Sequence, residues 1–117
     1  MKENGMITQY DFGKICVNGT WYRHDLRINN GTVLPDWWRT NGHACDVGDV
    51  ADITNDCPDI LILGRGKPGM MQATSALKQY LRQQDIVLIQ QPTVDAVKTF
   101  NDLYRQKKIA AGFHLTC

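Results

Sequence analysis

Apolar and polar residues alternate from Trp21 to Ile28, with Tyr22, His24, Leu26 and Ile28 on one side and Arg23, Asp25 and Arg27 on the other. A period of two predicts a half-buried strand with His24 facing inward. Asn18-Gly19 before it and Asn30-Gly31 after it suit two-residue hairpin turns, because Asn tolerates and Gly freely adopts the positive φ that both turn positions need. The first turn would join Lys14–Val17 to the Trp21–Ile28 strand, and the second would lead into Thr32–Leu34. Past Pro35 the pattern weakens. Asp46 then caps a short helix whose apolar positions are Val47, Val50, Ala51 and Ile53. The unbroken runs Asp59–Gly64 and Asp85–Gln90 read as strands covered on both faces. Between them Ala73, Ala76, Leu77, Tyr80 and Leu81 form one helical stripe within Ala73–Gln84, predicting a parallel, right-handed βαβ unit. Thr93 is expected to cap a helix running to Lys107, with Val94, Val97, Phe100, Leu103 and Tyr104 inward. A last strand spans Ile109–Leu115. The expected fold is α/β: a layered fold with a central mixed, partly parallel sheet, helices packed on it, and an N-terminal β-hairpin layer.

Composition narrows the classes. The chain has 117 residues, 43% of them hydrophobic, enough for one core without metals or disulfides. Thirteen basic and twelve acidic residues give a net charge of +1, so neither a nucleic-acid footprint nor a polybasic membrane anchor is expected. No apolar run approaches the roughly 20 residues that span a bilayer, and the N-terminus has no secretory pattern. A cytoplasmic protein without membrane insertion is expected, with Cys16, Cys45, Cys57 and Cys117 reduced.

Gly64-Arg65-Gly66-Lys67-Pro68-Gly69 matches the spacing of a dinucleotide-binding loop, but the acidic residue that would hold a ribose is absent, since the next strand ends in Gln90-Gln91. Met70-Met71 stand where a phosphate-binding loop needs Lys and Ser or Thr. A weaker anion site remains, built on the backbone of Gly64, Arg65, Gly66, Lys67 and Gly69 with His114 nearby. Its alternative is that the glycines only turn the chain from sheet to helix. His43, Cys45, Cys57, His114 and Cys117 lack metal-ligand spacing, and neither a metal nor another cofactor is expected. Glu3 is the only glutamate, so a catalytic carboxylate would be an Asp, and no pair stands out. Trp37-Trp38-Arg39, with His43 beyond it, is the interaction candidate: in a strand, adjacent rings point to opposite faces, leaving one for a partner, the alternative being that both rings pack beneath the hairpin layer and His43.

Tyr10-Asp11-Phe12-Gly13, Trp37-Trp38-Arg39, Gly42-His43, Gly64-Arg65-Gly66, Pro92-Thr93, Asn101 and the closing His114-Leu115-Thr116-Cys117 together resemble the Mth-type domain of unknown function. That family includes the adipogenesis-associated Mth-domain protein and the mitochondrial complex I assembly factor three. The resemblance runs from Tyr10 to Cys117, implying one domain over residues 10–117 and a flexible tail over residues 1–9. It implies a layered α/β fold and, through its mitochondrial branch, work by protein partners. No transit-like segment is expected here, a departure from that branch, so its complex I role is not expected to carry over. The expected function is a noncatalytic protein-binding or assembly-assisting module, with a protein partner or a homodimer. The alternative is a small-molecule enzyme or sensor that takes an anionic or phosphate-bearing ligand at Gly64–Gly69.

Overall fold

Both Asn-Gly pairs turn as their chemistry requires. Asn18, Gly19, Asn30 and Gly31 all have positive φ, at 51°, 82°, 49° and 87°. The structure, a computed structural model, describes residues 5–117. Residues 1–4, including Glu3 and the start of the expected tail, lie outside the described residues. Strand β1 (Ile7–Asp11) pairs antiparallel with β2 (Lys14–Val17), which pairs with β3 (Thr20–Tyr22) across the first Asn-Gly turn. The ordered sheet therefore starts at Ile7, three residues before the expected boundary. Asn101 fixes that start, its amide accepting from Ile7 N at 3.1 Å and donating to Ile7 O at 2.7 Å.

The expected single strand from Trp21 to Ile28 is two strands. β3 ends at Tyr22, and β4 (Leu26–Asn29) belongs to a different, five-stranded sheet. Between them Asp25 is drawn into hydrogen bonds with the C-terminal segment. His24, expected inward, is consequently exposed.

The five-stranded sheet has the order β5-β4-β10-β7-β9, where β5 is Thr32–Leu34, β7 Ile60–Gly64, β9 Val87–Gln91 and β10 Ile109–Phe113. β10, β7 and β9 are parallel, whereas β4 and β5 join antiparallel, so the sheet is mixed. A third, two-stranded sheet joins β6 (Ala44–Cys45) to β8 (Gln72–Ala73). A 3-10 turn at Val47–Val50, capped by Asp46, runs into α1 (Ala51–Thr54). α2 (Ser75–Gln83) starts at Thr74, whose hydroxyl accepts from Leu77 N at 3.0 Å. Ala73, expected in this helix, lies in β8, and Ala76 is exposed.

α3 (Thr93–Leu103) has Pro92 as its first flanking residue, where a missing N–H costs nothing. Thr93 does not cap it. Its hydroxyl donates to His114 O at 2.6 Å and accepts from Gly66 N at 2.8 Å. Val94, expected inward, is exposed because the helix turns Ala96, Val97 and Phe100 to the sheet.

Alternation along β7 sends Ile62 to one face and Leu61 and Leu63 to the other. Ile62 joins Phe113, Phe100 and the hairpin residues Ile15 and Val17. Leu61 and Leu63 join Leu77, Leu81, Ile53 and Trp37. All three β7 side chains are fully buried, each contributing about 1.5–3 kcal/mol. β9 differs from expectation: it is an edge strand, and Val87 is 57% exposed. Among the described residues no helix is long and apolar enough to cross a membrane.

Candidate functional site

The link between β3 and β4, the loop after β5 and the end of the chain meet at Asp25. Its Oδ1 accepts from Leu115 N at 2.8 Å, and its Oδ2 accepts from Arg39 Nη2 at 2.9 Å and from His114 Nδ1 at 2.7 Å. A carboxylate cannot donate, so the His114 contact requires a proton on Nδ1. Burial alone would raise the Asp25 pKa, but the bonds from His114, Leu115 N–H and Arg39 outweigh it and hold the carboxyl below its ordinary 3.8. Tyr10 closes the far side by donating to Leu115 O at 2.8 Å. Burial first, then Asp25 and Asp11, push its phenol pKa upward.

Trp37 and Trp38 do not sit in a strand, yet their faces divide as alternation suggests. Trp37 is 3% exposed and Trp38 77%. Trp37 N donates to Asp25 O at 2.8 Å and its indole N–H to Asp49 O at 2.9 Å, which locks the ring against the sheet. Gly112 makes room: a Cβ there would stand 2.7 Å from the Trp37 ring. Arg39 stacks on that ring, with its guanidinium carbon 4.5 Å from the centroid, and donates to Gly42 O at 2.8 Å. Its side chain is only 3% exposed. A cleft of about 240 Å³ opens beside this network, lined by Arg23, His24, Trp37, Trp38, Arg39 and Thr116. The His24 and Trp38 ring centroids lie 6.2 Å apart.

The two residue groups singled out in the sequence converge on His114. The exposed His43 lies edge-on to it at 6.1 Å. Gly66, with φ of 97°, packs so closely that a Cβ would meet Thr116 O at 2.1 Å and His114 Cδ2 at 2.7 Å. The loop amides are already used: Arg65 N donates to Gln91 O, Gly66 N to Thr93 Oγ1 and Lys67 N to Thr116 O. Arg65 Nε donates to Met71 O at 2.8 Å. These bonds fasten the loop to the chain's end, and after Gly69 the chain enters β8 before reaching a helix.

Asp25 and Tyr10 are the residues that sequence reasoning missed. Asp25 finds Arg39 14 residues away and His114 89 residues away, and no local spacing announces such partners.

A His–Asp pair supplies two of the three members of a nucleophilic triad, but the third must be a hydroxyl or thiol bonded to the second imidazole nitrogen. His114 Nε2 is buried and has no hydrogen-bond partner among the described residues. Burial, then Asp49, push the Cys45 thiol up to about 12, with Arg39 pulling the other way, so it is no ready nucleophile. Among the described residues no three His, Cys, Asp or Glu side chains gather as a metal site. As arranged, the network positions chain segments and supports the surface that carries Trp38.

Solved structures share this architecture. A conserved hypothetical protein, PH1505 from Pyrococcus horikoshii OT3, is 25% identical, with 95% of this chain and 98% of that one covered at a TM-score of 0.82. A Bartonella henselae chain described as an outer membrane protein is 19% identical, with 97% and 96% covered at 0.81. A Mth938-like domain from Bordetella pertussis is 15% identical, with 98% and 92% covered at 0.76. The model of the family described as protein of unknown function (DUF498/DUF598) matches residues 7–114. The chain, folded as a Mth-type domain over nearly its whole length, belongs to that family.

Proposed function

We propose that this domain is a noncatalytic binding module that presents Trp38 to a protein partner. One observation carries the reading: of two adjacent tryptophans, Trp37 is 3% exposed and held at both its backbone and indole N–H, while Trp38 is 77% exposed. An aromatic ring on a rigid base is a low-entropy anchor, and tryptophan and arginine dominate interface hot spots. Exposed, unpaired Cys57 and Cys117 support a reducing compartment such as the cytoplasm.

The test separates the rings. Trp37→Ala should lower stability by about 3–5 kcal/mol in urea unfolding, whereas Trp38→Ala should change it by less than about 0.5 kcal/mol. Affinity capture from native lysate, quantified by mass spectrometry, should recover a protein with the wild type that Trp38→Ala loses. Equal destabilisation of both variants, or a partner retained by Trp38→Ala, would refute the proposal.

A further inference from the structure

At the opposite border of the sheet, β9 leaves one side open. Val87 N donates to Asp59 O, and Gln91 O accepts from Arg65 N. Val87, Ile89 and Gln91 therefore turn their backbone groups toward β7, and by alternation Leu88 and Gln90 turn theirs outward. Monomeric proteins shield such edges with bulges, prolines or charges. Within β9 there is none of these: its sequence is Val-Leu-Ile-Gln-Gln, its register on β7 is continuous, and Pro92 comes only after its last residue. The other border, β5, offers only three residues.

A groove of about 630 Å³ lies at the start of the open edge, where the end of α2 turns into β9. Leu81, Ile86, Val87 and Leu88 form its apolar part, and Lys78 and Arg82 stand on its helical side. Lys78 and Arg82 are one helical turn apart, and neither has an ion-pair partner among the described residues. Asp85, where the groove ends beyond α2, supplies one carboxylate.

We infer that this edge takes up an extended, acidic segment of another polypeptide as a sixth strand. The outward N–H and C=O groups of Leu88 and Gln90 select an extended backbone. The apolar groove selects alternate small hydrophobic side chains, and the two unpaired cations select acidic residues between them. A second copy fits less well, because its own α2 has no acidic residue to meet Lys78 and Arg82. This surface is independent of Trp38, so either proposal can fail alone.

The probe is a blocked hexapeptide of alternating valine and glutamate, with an alternating valine–lysine peptide as control. Hydrogen exchange followed by NMR on the full chain reads the Leu88 and Gln90 amides directly. With the glutamate peptide both should slow at least tenfold, and its affinity should exceed that of the lysine peptide by about threefold or more. The double variant Lys78→Glu with Arg82→Glu changes only groove-rim side chains and should reverse that preference. No protection at about 5 mM peptide, or a preference unmoved by charge reversal, would overturn the inference. So would protection of both amides in concentrated protein without peptide, which would assign the edge to a second copy.

Discussion

Asp25 organises the candidate site more than any residue singled out in the sequence. Its carboxylate accepts from Arg39, His114 and Leu115, and removing one partner of a buried ion pair leaves the other uncompensated. We expect Asp25→Asn to cost about 3–5 kcal/mol at neutral pH, read from urea midpoints. The pH dependence has a definite sign. The folded carboxyl titrates below the unfolded 3.8, so its contribution is complete above that value and is lost as pH falls through it toward the lower folded pKa. The wild type should lose stability below about pH 4 more steeply than Asp25→Asn. Parallel acid profiles would show that the pair does not carry this stability.

Elements with a strong local pattern were legible before the structure. Asn-Gly turns the two hairpins, the run Asp59–Gly64 becomes β7, and the stripe of Leu77 and Leu81 becomes the inner face of α2. Elements governed by distant partners were not. The strand from Trp21 breaks because Asp25 bonds to the chain's end, and Thr93 leaves helix capping to bridge Gly66 and His114. The pairing of Trp37 with Gly112 is of the same kind: a long stretch of chain separates the ring from the glycine that admits it. Gly112→Ala would place a methyl group against that ring. It should destabilise by about 1–3 kcal/mol, with the Trp37 fluorescence changed. An unaltered urea midpoint would mean that the ring moves aside freely and that the base under Trp38 is not rigid.

Across the whole molecule, a buried scaffold carries two surfaces on separate borders. The proposed role of Trp38 can be read directly, because the chain has three tryptophans. We would incorporate 5-fluorotryptophan and record fluorine NMR spectra of the full chain while adding native lysate, assigning the resonances with single Trp→Phe variants. The Trp38 resonance should shift or broaden on binding while that of Trp37, fixed by Asp25 O and Asp49 O, stays in place. A Trp38 resonance untouched by lysate, or one that moves only together with Trp37, would contradict the proposed role.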